Sequence, residues 1–166
     1  MEATERARYI KQQVRRRRTW GSLSVEMAVV APILVILMFG TIEMGLLYKD
    51  VLSLNNSALE GARYAALGNQ TADVLARAKS AAPTMLAGTI TATQEYRTYN
   101  ASTSTWSAWT PLTNSGGYNI APSGGQVRIT LNYPHKLATG GLFASMATDK
   151  VNNTVTVKAS VVMMRQ

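Results

Sequence analysis

The chain has 166 residues, no cysteine, 46% hydrophobic residues and a formal charge of +8 at pH 7. That length suits one domain plus a membrane segment rather than two full domains, and the lack of cysteine excludes a disulfide or cysteine-ligated metal framework without fixing the compartment. Seven basic and two acidic side chains precede Gly21, so the positive excess belongs to the N-terminal segment and does not describe a nucleic-acid-binding patch.

In chain order, residues 1–21 form a basic leader that ends in Arg15 to Arg18, Thr19, Trp20 and Gly21. An apolar run follows, and Met27 to Ile42 reads MAVVAPILVILMFGTI with no charge. At about 1.5 Å per residue this run spans roughly 24 Å, short of the ~30 Å hydrocarbon core. Extension to Trp20 and Tyr48 supplies the missing length and an aromatic at each interface. Residues 22–48 are therefore predicted to cross a membrane once, with the Arg block on the cytoplasmic side by the positive-inside rule. A buried core helix and a secretory signal peptide are the alternatives. The first lacks a polar face between Met27 and Phe39, and the second gives no reason for an acidic residue inside the run. That residue is Glu26, and a charge at bilayer depth costs about 2.5–3.5 kcal/mol on insertion scales. Glu43, near the far end, is expected to reach headgroups or Lys49. Pro32 is tolerated in a membrane helix and its expected role is geometric.

Beyond Tyr48 the helical period continues. Leu47, Val51, Leu54, Ala58, Ala62 and Ala65 recur at three- and four-residue spacing. Ala58, Gly61, Ala62, Ala65 and Ala66 make this face small-sided, open to close packing on the protein's own sheet or on a helix of another chain. Glu60 and Arg63 can pair, and Gly68-Asn69 supplies a stop. A second helix is predicted over Ala72 to Ala81, capped by Thr71, ended near Pro83, with Asp73 and Arg77 four apart. Strands are expected at Thr89 to Tyr99, at Trp106 to Thr110, and where Val127, Ile129, Leu131, Tyr133 and then Val155, Val157, Ala159, Val161 alternate with polar residues. Pro111 to Gln126 and Pro134 to Lys150 read as loops, the second held to the core by Leu142, Phe143 and Met146. Helices followed by antiparallel strands define an α+β domain over residues 49–166, with the long helix laid across a small sheet.

Nothing in the pattern indicates catalysis. His135, the single histidine, sits between Pro134 and Lys136 and reads as a surface residue at an exposed strand end. The acids after the leader form no metal-binding or acid–base spacing, and the Gly pairs lack a phosphate-loop context. Trp106 and Trp109, near Tyr99, are either cross-strand packing aromatics or a stacking surface for sugars or bases. No cofactor or metal is expected.

Gly21-Ser22-Leu23-Ser24-Val25-Glu26 has the pattern G-x-x-x-x-E between a basic leader and an apolar helix. It resembles the cleavage site of type IV-like prepilins. The resemblance narrows through Val25-Glu26, Pro32, Ile42-Glu43 and Gly61-Ala62-Arg63-Tyr64-Ala65 to the TadE-like family of tight-adherence (Flp/Tad) pilus proteins, over roughly Gly21 to Gly68. Met27 departs from it, since an aromatic usually follows the Glu, and the short soluble half excludes the larger multidomain relatives. The resemblance implies cleavage between Gly21 and Ser22 by a prepilin peptidase and a processing and assembly role for Glu26, while helix packing through Pro32, Gly61, Ala62 and Ala65 is expected from the proline and the small-sided face themselves. It further implies a non-enzymatic minor pilin-like (pseudopilin) component of the bacterial inner membrane, with its N terminus cytoplasmic and its C-terminal domain periplasmic. The implied partners are the peptidase, other pilin-like subunits, the Tad machinery and the lipid bilayer, with no nucleic acid. Two other readings remain: an uncleaved, membrane-anchored assembly factor, and an exported surface- or carbohydrate-binding domain that uses Trp106 and Trp109.

Overall fold

The long apolar run and the alanine-rich stretch after it belong to a single helix, α1 (Glu2–Ala66). In this computed structural model the backbone is described for residues 2–82, 85 and 89–166, and side chains from Leu23 onward, Leu142 excepted. Gly21 and Ser22 lie outside the residues whose side chains are described, as does Pro83. The chain divides into two compact units, Met1–Ile42 and Glu43–Gln166, and α1 contributes to both.

In the first unit the described side chains from Leu23 to Ile42 are exposed all round the helix, with only Ala31 and Gly40 partly covered. The helix runs through Pro32, which has no N–H to donate to the carbonyl one turn back. Thr41 gives its hydroxyl to the Leu37 carbonyl at 2.8 Å, so this polar side chain is satisfied within the helix itself.

The second unit is built on an antiparallel sheet of β1 (Thr91–Arg97), β4 (Thr110–Pro111), β7 (Gln126–Lys136) and β8 (Thr154–Met164), in the order β4-β1-β7-β8. The short strands β2 (Tyr99–Asn100) and β3 (Thr105–Trp106) pair with each other, and so do β5 (Asn114–Ser115) and β6 (Tyr118–Asn119). The alternation read from the sequence sets the faces: Val127, Ile129, Leu131, Val157 and Ala159 are buried in one cluster with Leu54, Ala58, Ala62 and Ala65 of α1. Complete burial of side chains such as Leu54, Ile129 and Leu131 stabilises by about 1.5–3 kcal/mol each.

The second helix, α2 (Thr71–Ser80), adds Val74 and Ala78 to the same cluster. Gly61 is the point of closest approach. A Cβ placed there would lie 3.0 Å from Ala78 Cβ and 3.5 Å from Ile129 Cγ2. The helix then stops at Gly68, which has φ +91°, and Asn69 turns its amide back to the Tyr64 carbonyl at 2.9 Å.

Several local expectations are corrected. Thr71 is the first residue of α2 and not its cap. Gln70 occupies the cap position, and the Thr71 N–H is taken by Asn114 Oδ1 at 2.9 Å, across 43 residues of sequence. Arg77 turns to Glu60, at 3.4 Å, beside the Arg63–Glu60 pair at 2.9 Å. The stretch 111–126 holds the β5–β6 hairpin, β7 runs on through Pro134 to Lys136, and Gly140–Met146 forms a 3-10 segment. Phe143 is half-buried there but Met146 is exposed, so Met146 does not anchor the segment. These elements are stabilised by distant partners or are too short to carry a period of their own.

Candidate functional site: the apolar helix and the acid–histidine cluster

Leu23–Ala66 is the one segment among the described residues long and apolar enough to cross a membrane, and none of its most apolar window is buried. The consecutive exposed residues Ile33, Leu34, Val35 and Ile36 point in every direction around the axis. A helix apolar all round needs an apolar surrounding, either lipid or other helices. Glu26 is exposed on this helix, near the start of the apolar segment Leu23–Ala66. Pro32 is exposed as well, six residues further on.

The other predicted packing residues are placed differently. Gly61, Ala62 and Ala65 are buried within the second unit, against α2 and the sheet. Their small size admits the protein's own backbone and side chains, and leaves this face covered.

Where α1 enters the second unit, two carboxylates flank one imidazole. Glu43 and Asp50 are seven residues apart on α1, hence on one face, and both are buried. His135, near the end of β7, is also buried, at 5% exposure, which overturns its reading as a surface residue. Its Nδ1 lies 2.7 Å from Asp50 Oδ2 and its Nε2 lies 3.5 Å from Glu43 Oε1. The cause is the extension of β7 past Pro134, which carries His135 inward opposite Val155. Glu43 reaches neither headgroups nor Lys49. It accepts from the Ala138 N–H at 2.9 Å, the Thr139 N–H at 3.0 Å and the Thr139 hydroxyl at 2.9 Å. Lys49 stands instead beside Asp50, at 3.6 Å. The imidazole offers its two nitrogens to opposite carboxylates, so the three groups do not converge on a common point. Among the described residues no group of three or more potential ligands could hold a metal ion.

On the other sheet face the aromatics form a stack with arginines. Arg97 lies over Trp106 at 5.0 Å and over Trp109 at 4.5 Å, and Arg128 lies over Trp109 at 4.1 Å. Tyr99 and Trp106 are direct cross-strand neighbours with ring centroids 5.1 Å apart. Arg128 also pairs with Glu95 at 2.5 Å, its register partner on β1. The chain's own guanidinium groups therefore lie over the tryptophan rings, which accounts for these residues by packing.

The described residues thus combine a single long apolar helix with a small α+β domain. Residues 21–63 match the family model described as TadE-like protein, so this segment of the chain is similar to that family. The match begins at Gly21 and takes in Val25-Glu26, Pro32 and Ile42-Glu43, ending inside the Gly61–Ala65 element. No curated protein and no solved structure matches the chain.

The role of Asp50 and His135 escaped the sequence reading, although a signal existed. Glu43, Leu47, Asp50 and Leu54 follow the three- and four-residue spacing of the core stripe, so both acids were on its buried face. Only their partner was out of reach, because His135 is 85 residues beyond Asp50.

Proposed function

We propose that this chain is a minor pilin-like (pseudopilin) component of a Tad-type pilus assembly system, held in the bacterial inner membrane by α1. In this reading residues 1–21 are a cytoplasmic leader, residues 22–48 include the membrane span and its interface, and residues 49–166 form the periplasmic domain. Leu23 to Ile42 supplies 20 residues, about 30 Å of helix and close to one hydrocarbon thickness. The single observation that carries the reading is the TadE-like match beginning at Gly21, immediately ahead of the fully exposed apolar helix.

The proposed chemistry belongs to a partner enzyme. A prepilin peptidase cuts between Gly21 and Ser22 and leaves a new ammonium on Ser22, about one helical turn from Glu26. In low dielectric that ammonium offsets much of the expense of a carboxylate, within one chain or between neighbours. An intermolecular pair would fix axial register between packed helices, as polar core residues do in coiled coils. The exposed faces of Leu23 to Ile42 are then available to lipid before assembly and to other pilin-like helices and Tad components afterwards.

The test is the intact mass and N-terminal residue of the membrane-extracted protein. A chain that begins at Ser22 supports the proposal. A chain that retains its leader makes the protein an uncleaved anchored assembly factor, and loss of the whole apolar helix makes it an exported domain.

A further inference from the structure

His135 faces a carboxylate with each ring nitrogen, at 2.7 Å from Asp50 and 3.5 Å from Glu43. A neutral imidazole has one N–H, whereas the imidazolium has two. If the proton is on Nδ1 and serves Asp50, the bare lone pair of Nε2 faces Glu43. If it is on Nε2, the close approach to Asp50 loses its hydrogen. In the structure Nε2 is buried without a hydrogen-bond partner among the described residues. Only the doubly protonated ring satisfies both neighbours. From this geometry we infer that His135 is a proton-operated latch, fastening the end of β7 and the turn after it to α1.

The surrounding charges favour that assignment. Glu43 and Asp50 place two carboxylates in a buried site, where unpaired charge is expensive. From α1, Lys49 reaches Asp50 at 3.6 Å, but its side chain is 53% exposed and it compensates only from the rim. From β7, Tyr133 stays neutral, since burial and the Asp50 charge both oppose its ionisation, and Lys136 is exposed. From β8, the residue paired with His135 is the uncharged Val155. Among the described residues the imidazolium is thus the one cation able to sit between the two carboxylates.

Loss of the proton acts first on the turn at Leu137 to Thr139. The Ala138 and Thr139 N–H groups are held by Glu43, the same carboxylate that the bare nitrogen would then face. Beyond it lies the 3-10 segment Gly140–Met146, whose Met146 is exposed. The sheet is held separately, because β7 and β8 stay in register from Gln126↔Met164 to Lys136↔Thr154. Loss of that proton therefore loosens the turn and the segment after it while β7 remains paired. The inference does not depend on the pilus reading.

The experiment uses the full chain in detergent micelles. Amide hydrogen exchange at Ala138 and Thr139 is followed from about pH 5.5 to about pH 8, corrected for intrinsic exchange. Ring 15N shifts of His135 are recorded over the same range. The expected result is a several-fold loss of protection at both amides as pH rises, with Ile129 and Leu131 unchanged and both His135 nitrogens protonated at the acid end. His135→Gln should remove the pH dependence. A ring that is neutral at the acid end, unchanged protection in the native chain, or the same trend in His135→Gln overturns the latch. Should the variant fail to fold, the ring spectrum and exchange of the native chain decide alone.

Discussion

The side-chain amide of Asn119 donates to the Ala65 carbonyl at 2.8 Å and to the Asn69 carbonyl at 2.9 Å, joining the β5–β6 hairpin to the end of α1. Its own Oδ1 takes the Ala121 N–H at 3.2 Å, and the residue is buried. Helix ends leave carbonyls without intrahelical donors, and here one side chain serves the Ala65 carbonyl in the last turn of α1 and the Asn69 carbonyl just beyond the helix. Asn119→Ala removes donors and acceptor together; the Ala65 carbonyl keeps the Gly68 N–H, but the Ala121 N–H and the Asn69 carbonyl lose the Asn119 side chain, and a buried polar group left unsatisfied costs about 1–3 kcal/mol. We expect a clear fall in the thermal midpoint of the full chain in micelles, with exchange at Ala121 raised. Asn119→Asp should be no better, since a carboxylate cannot donate to either carbonyl.

Gly61 supports a prediction with two opposing terms. Gly→Ala in a helix interior gains up to about 1 kcal/mol of intrinsic preference, but the new methyl would stand 3.0 Å from Ala78 Cβ. Ala78 is fully buried on α2, so yielding space means moving the helix. The terms nearly cancel, and Gly61→Ala should change stability by less than about 1 kcal/mol. Gly61→Val extends the clash toward Ile129 without an equal gain and should destabilise by about 1–3 kcal/mol or more. Chemical denaturation of the two variants side by side checks the ordering, and equal midpoints would show that α2 gives way freely.

The stretches that were legible in the sequence are those whose neighbours repeat. Val127, Ile129, Leu131 and Tyr133 alternate because one sheet face is wet and the other packs on α1, and that period survives without knowledge of the partner. The small stripe through Gly61 and Ala62 was equally plain, yet its two possible coverings could not be separated, because a small face admits either an internal or an external neighbour. What escaped depends on single distant contacts. Asn114 serves the start of α2 from a stretch read as loop. His135 was read as exposed because a proline precedes it, whereas β7 continues through Pro134. Neither Asn114 nor His135 carries a period, so only the fold reveals their places.

The proposed orientation of the chain rests on the charge asymmetry around the apolar helix. The basic leader should remain cytoplasmic and everything after about Tyr48 should be across the membrane. Protease added outside the intact inner membrane is expected to digest the second unit and spare the leader. Protection of that unit with loss of the leader would invert the topology and remove the pilin reading.

Cleavage at the proposed bond needs close access of a peptidase to the backbone at Gly21. Gly21→Trp should therefore block processing while membrane insertion, which rests on Leu23 to Ile42, persists. Fractionation with mass measurement distinguishes the two steps. Mature-sized protein from this variant would place the cut elsewhere.

Glu26 then tests what cleavage is for. If its carboxylate meets the ammonium of processed Ser22, Glu26→Gln should keep the helix in the membrane, since a neutral amide is cheaper to bury than a carboxylate. Cleavage can slow, because the residue is five positions from Gly21, but it should not stop. The later step is the one expected to fail. Without the carboxylate, the ammonium of a processed chain loses its charged partner when helices pack, and the register that the pair sets is lost. The expected outcome is processed but poorly assembled protein, with pilus-dependent adherence reduced. Glu26→Asp should fall between the native chain and the Gln variant, keeping the charge while its reach shortens by one methylene. Co-purification of processed chains with other pilin-like subunits, scored with adherence, gives the readout. Native levels of both from Glu26→Gln would reduce Glu26 to a tolerated charge near the interface, and the register between helices would have to come from shape alone.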